Sequence, residues 1–80
     1  MLDGIITVDL HGKNQYQAQV TVDAWLRRAR SGTYRLRLIH GSHSGTALRD
    51  MIRSQYGGHP RVLRLDCANP GVTDLVLREF

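Results

Sequence analysis

Six residues, Tyr-Arg-Leu-Arg-Leu-Ile from Tyr34 to Ile39, admit few structures. In an extended strand successive side chains point to opposite faces, so Leu36 and Leu38 share one side while Arg35 and Arg37 share the other. The first apolar run behaves alike: Ile6, Val8 and Leu10 fall on one face, and Ile5, Thr7, Asp9 and His11 on its reverse. Leu63 and Leu65 are separated from Arg64 and Asp66 in the same way. A sheet built from such strands has one apolar face and one basic face. It therefore needs a single covering layer, and a second layer behind it would bury unpaired charge.

The segments between these strands supply that cover. Ala18, Val22, Trp25, Leu26 and Ala29 recur at helical spacing, which predicts a helix from about Gln15 to Ser31. Asn14 with Gln17 forms a capping-box pair at its start, and Gly32 is placed to stop it. Leu48, Met51, Ile52 and Gln55 or Tyr56 make a second stripe, from about Gly45 to Tyr56, ended by Gly57 and Gly58. Strands are expected over Arg61 to Asp66 and Val72 to Arg78. The turn at Asn69-Pro70-Gly71 is too short for a parallel crossover, so these two must be antiparallel. The expected fold is α/β, a two-layer sandwich of order β-α-β-α-β-β, with a mixed four-stranded sheet and two helices on one face.

Eighty residues suit one small domain spanning 1–80. Its end at Phe80, directly after a strand, fits either a complete protein or a domain of a larger chain. The one cysteine, Cys67, rules out an internal disulfide framework and reads as a small buried apolar residue. With the four scattered histidines it makes no zinc-finger spacing, so a reducing, cytoplasmic setting is expected. The first residues carry neither a basic stretch nor an apolar segment long enough for a signal peptide, and no run is long enough to span a membrane. The net charge of +4 rests on eleven basic residues, all Arg except Lys13. Guanidinium groups fork onto phosphate oxygens, so this surplus leans towards polyanions, DNA or RNA.

Asp9-Leu10-His11-Gly12 and Ile39-His40-Gly41 both lie just past the carboxyl end of a parallel strand, where α/β sheets place their sites. A single His-Gly after a strand is ordinarily a turn with a solvated imidazole. Two at equivalent topological positions favour a site. If the strands are neighbours, His11 and His40 are expected to face one substrate group as general base and general acid, with Asp9 fixing the tautomer of His11. Gly41, Ser42, Ser44 and Gly45 lie at the start of the second helix, whose positive end favours an anion, and these small residues admit a phosphate to backbone N–H groups, with His43 as a third site group. Gly12 and Lys13, with Arg35, Arg37 and Arg64 on the open sheet face, complete the expected nucleic-acid contacts. The bland alternatives are that Asp9 accepts an Arg from a neighbouring strand, that the arginines form a solvated face, that His43 is a loop residue, and that Trp25 belongs to the core.

These residues resemble the small MutS-related, or Smr, domain family over roughly residues 6 to 80. The motif Asp9-Leu10-His11-Gly12 matches without change. His40-Gly41 matches the start of a His-Gly-x-Gly motif, with His43 where the second Gly stands and Gly45 as the glycine that often follows. Pro70-Gly71-Val72-Thr73 occupies the place of a third, glycine-rich turn. The resemblance implies a sandwich similar to the C-terminal domain of bacterial translation initiation factor three. It also implies nucleic-acid binding and, as in several members, endonuclease activity that nicks DNA or cuts RNA. The expected endonuclease is metal-independent or weakly metal-dependent: no cofactor is required, and the alternative is a divalent metal with Asp9 and His11 as two ligands, although no further carboxylate is placed to complete a cage. The rival expectations are a non-catalytic DNA- or RNA-binding module, supported by His43, and a protein-interaction domain using the open sheet face.

Overall fold

The computed structural model describes residues 4–29, 32–41 and 46–79. The elements are β1 (Ile5–Asp9), α1 (Gln15–Arg28), β2 (Arg35–Ile39), α2 (Ala47–Tyr56), β3 (Arg64–Asn69) and β4 (Val72–Val76). They form one four-stranded sheet in the order β1-β2-β4-β3. β1 and β2 run parallel, and β4 is antiparallel to both β2 and β3. The tight Pro70–Gly71 turn folds β4 back into the gap that the α2 crossover leaves beside β2. β4 is thus central, and its residues from Thr73 to Val76 are all buried.

Both helices pack on the apolar face, as the alternation requires. Val8 and Leu10 of the first segment, Leu36 and Leu38 of β2 and Leu75 of β4 join Ala18, Val22 and Leu26 of α1 and Ile52 and Tyr56 of α2 in one cluster. Each fully buried side chain of this size stabilises the fold by roughly 1.5–3 kcal/mol. Trp25 lies at the margin of the cluster, half-buried, with the Arg28 guanidinium 5.8 Å from its ring centroid. Tyr56 is buried and donates its hydroxyl to Asp23 at 2.7 Å, which joins the two helices. Burial, then this hydrogen bond, pushes the Tyr56 phenol well above its ordinary pKa.

The ends of the elements depart from expectation at identifiable places. Asn14 and Gln17 form the full capping box, but α1 stops at Arg28. Ala29 takes an extended conformation there, so Gly32 is not the cap. α2 starts at Ala47, where the Thr46 hydroxyl bonds to Asp50 rather than capping the helix. β3 begins at Arg64 because residues 59–62 form a turn closed by the Val62 N–H on the His59 carbonyl, 3.0 Å. Leu63, expected inside, is 61% exposed. The β3–β4 register shifts between Asp66 and Asn69, and Cys67, expected buried, is exposed in that irregularity.

The reverse face of the sheet is an ion-pair lattice rather than a free basic surface. Register sets Asp66 directly opposite Asp74 across β3 and β4, a repulsive pairing. Arg35 offsets it by reaching both carboxylates, at 3.0 and 2.8 Å. Arg37 binds Asp74 through Nε and Nη2, each at 3.1 Å, and Arg64 pairs with Glu79.

Candidate functional site

The site begins where β1 runs out. The Leu10 N–H continues the ladder onto the Ile39 carbonyl at 2.7 Å, and the Leu10 side chain is fully buried. The chain then turns through His11 and Gly12, with the Lys13 N–H closing on the Leu10 carbonyl at 3.1 Å. Gly12 holds φ +82, a left-handed conformation that side chains resist. Directly afterwards Asn14 caps α1, so the His11 turn is held between a strand end and a fixed helix start.

One carboxylate oxygen organises this turn. Asp9 Oδ1 accepts the backbone N–H of His11 at 3.0 Å and contacts its Nδ1 at 2.7 Å. A carboxylate can only accept, so Nδ1 carries the proton and the neutral ring is left with a basic Nε2. Among the described residues Nε2 has no hydrogen-bond partner. The side chains of His11 and Asp9 are 74% and 55% exposed. The hydrogen bonds from His11, the side-chain one foremost, hold the Asp9 carboxyl below the usual carboxylate range. Among the described residues Asp9 pairs with no arginine, so its carboxylate serves His11 alone.

The end of β2 is built differently. His40 is 4% exposed. Its Nδ1 lies 3.0 Å from the Gly41 carbonyl and its Nε2 2.9 Å from the hydroxyl of Thr73, which is itself fully buried. The carbonyl only accepts, so Nδ1–H donates to it and Nε2 of the neutral ring receives the Thr73 O–H. The backbone N–H groups of His40 and Gly41 both reach the Gly71 carbonyl at 3.0 Å. Both ring nitrogens are thus spent within the fold: Nδ1 closes on the corner's own carbonyl, Nε2 ties the β2 end to β4, and the backbone N–H groups hold the turn before β4.

The expectation that His11 and His40 face one substrate group is therefore not met. The register pairs Val8 with Leu38 and Asp9 with Ile39, so His40 falls beside Leu10 on the helix-covered side. His11 belongs with Asp9, on the alternate set. The two rings border different depressions. His40 shares one of about 390 Å³ with Gly12, Lys13, Asn14, Gln15, Ala47 and Leu48, between the starts of the two helices. His11 shares the other with Gly12, Lys13, Tyr16, Gln17, Val20 and Thr21. Gly12 and Lys13 form the wall common to both. His40 is held inside the fold, and Thr73, its buried partner, is a residue that residue type alone did not single out.

The expected phosphate contacts divide in a similar way. Arg35, Arg37 and Arg64 are each held by acidic partners, and the hydrogen bonds to Asp74 keep Arg35 and Arg37 more firmly protonated than usual. Lys13 is at the rim and, among the described residues, makes no ion pair; nor do Arg27 and Arg28 at the end of α1. Ser42, His43 and Gly45 lie outside the described residues, and Gly41, at φ +82, leads into them. Among the described residues no group of three or more His, Cys, Asp or Glu could hold a metal ion. No helix there is long and apolar enough to cross a membrane.

A two-layer α/β domain with an Asp-x-His dyad at the end of its first strand is the class these features define. The Smr domain family model matches residues 8–73, and the chain belongs to that family. It is also similar to the crystal structure of the Smr domain of Thermus thermophilus MutS2, with 38% identity and a TM-score of 0.81 over 92% of this chain and 99% of that one. No curated protein sequence matches. Smr domains are known in general as nucleic-acid-binding, nuclease-like domains.

Proposed function

We propose that this domain binds DNA or RNA at the Asp9–His11 rim and cleaves a phosphodiester bond there. The observation that carries the reading is the Asp9 carboxylate bridging the N–H and Nδ1 of an exposed His11. That contact orients the ring and leaves Nε2 as the nitrogen that takes a proton. His11 would deprotonate the attacking oxygen, a water or a ribose hydroxyl, and Lys13 on the same rim would balance charge building on the phosphate. The leaving oxygen takes its proton from solvent or from the imidazolium. His40 and Thr73 act at one remove, by fixing the strand end that supports this turn. The setting is cytoplasmic, and the chemistry asks for no cofactor.

A non-catalytic binding module is the second reading, favoured by the burial of His40, which takes that imidazole away from the surface where His11 lies. One experiment separates them. Wild-type and His11→Ala protein are incubated with labelled single- and double-stranded DNA and RNA, with and without chelator. Cleavage by the wild type that is lost in the variant, with binding kept, supports catalysis; binding without cleavage in both supports the module.

A further inference from the structure

Most of α1's apolar residues face the core, but two do not. Tyr16 is 75% exposed and Val20 48% exposed. At the helical angle of about 100° per residue, Tyr16, Val20 and Arg27 fall on one outward row. Single exposed apolar residues are ordinary on a protein surface. This row is set apart by what it adjoins, because Tyr16 and Val20 line the same depression as His11 and Lys13. Side chains on a helix lean towards its N-terminus, so the Tyr16 ring inclines towards the dyad. The row runs about 17 Å from Tyr16 to Arg27 at 1.5 Å per residue; Asp23 also falls on it, engaged by the Tyr56 hydroxyl, and Arg27 at its end makes no ion pair among the described residues.

An aromatic ring beside a cation, followed by apolar surface and then an arginine, has the layout of a track for an unstacked strand. A base stacks on the ring, and the backbone meets positive charge at both ends. A duplex hides its base faces within the stack and has no use for the ring. We propose that the outer face of α1 carries single-stranded nucleic acid, with Tyr16 stacking the base next to the phosphate presented to His11. The inference rests on the proposed site and adds to it the strand form of the substrate.

The test measures binding of a labelled single-stranded oligonucleotide and of the duplex of the same sequence. The proteins are wild type, Tyr16→Ala, Tyr16→Phe and Arg27→Ala, each also in a His11→Ala background. Tyr16 is outside the core cluster, so its variants should fold, which circular dichroism confirms. Tyr16→Ala should weaken single-strand binding about tenfold while duplex affinity holds, Tyr16→Phe should bind as wild type, and Arg27→Ala should flatten the salt dependence. Unchanged single-strand affinity in Tyr16→Ala, or equal losses for both substrates, would overturn the track. If wild type cuts nothing yet Tyr16→Ala selectively loses single strands, the cleavage reading falls and the track stands. If wild type cuts and Tyr16→Ala binds and cuts single strands normally, the reverse holds.

Discussion

His11-Gly12 and His40-Gly41 are the same dipeptide, placed at the same end of two adjacent parallel strands, and both glycines sit at φ +82. Their imidazoles nevertheless have opposite fates. The first is open to solvent with a carboxylate behind it; the second is buried between a carbonyl and a threonine hydroxyl. The difference follows from one residue of phase relative to the sheet. In β1 the inward residue is Leu10 and the histidine comes one later. In β2 the histidine itself occupies the inward position. A shared motif therefore specifies a shared backbone turn, while the chemistry of the side chain depends on which face it falls.

The sharpest way to break this contrast is to remove each imidazole in turn. His11→Ala should reduce cleavage by at least about 100-fold, the usual scale for a general base, with the melting temperature nearly unchanged. Asp9→Asn should fall in the same direction and less far. Equal thermal destabilisation by His11→Ala and His40→Ala would show that the two corners are not distinct.

At the buried corner the expected loss is in stability. Thr73→Val leaves the His40 Nε2 buried without its donor and should cost about 1–3 kcal/mol by denaturant titration, with Thr73→Ser recovering most of it. A cleavage rate in folded Thr73→Val close to wild type would fit a supporting role; a loss as deep as that of His11→Ala would return His40 and Thr73 to the reacting atoms.

The glycines provide a control in which the corners should agree. Among the described residues, chain neighbours aside, neither has an atom within 4 Å of where a Cβ would stand, and both share the same φ. Gly12→Ala and Gly41→Ala should each destabilise by about 1 kcal/mol through backbone strain alone. A much larger cost at one of them would reveal crowding that the geometry does not contain.

The smallest effect concerns pH. Asp9 is held below its ordinary value by His11, so its contribution is complete above the usual carboxylate pKa of about 4 and is lost as pH falls through its own lowered value. Because both groups face solvent, wild type and His11→Ala should differ only slightly in acid denaturation. Tyr56 acts at the other extreme: its phenol pKa is raised, so its contribution is full below about pH 10 and is lost as pH climbs towards the folded value. Tyr56→Phe should therefore flatten alkaline unfolding, measured by circular dichroism.

Much of the fold was legible because its signals are local. The alternation of Arg35-Leu36-Arg37-Leu38, the stripe from Ala18 to Leu26 and the capping pair Asn14 and Gln17 each act within a few residues. The errors arose where distant partners decide. Leu63 continues an alternating pattern, yet the turn over residues 59–62 delays β3 and leaves it outside. Arg35 and Arg37 read as an unpaired basic face until β4 settles between β2 and β3 and sets Asp74 against them. The Asp9–His11 dyad was legible, since two residues apart on one strand share a face. The burial of His40 was readable in principle from the parity of Leu36, Leu38 and His40.

By itself the sequence determined the two-layer architecture, the Asp-Leu-His-Gly turn and its oriented imidazole, because alternation, capping and a two-residue hydrogen bond require no distant chain. Only the tertiary structure decided the strand order, which arginines are neutralised and what holds His40. Those outcomes depend on β4, contributed from more than thirty residues further along, filling the central position and bringing Thr73 and Asp74 to opposite faces of the same strand.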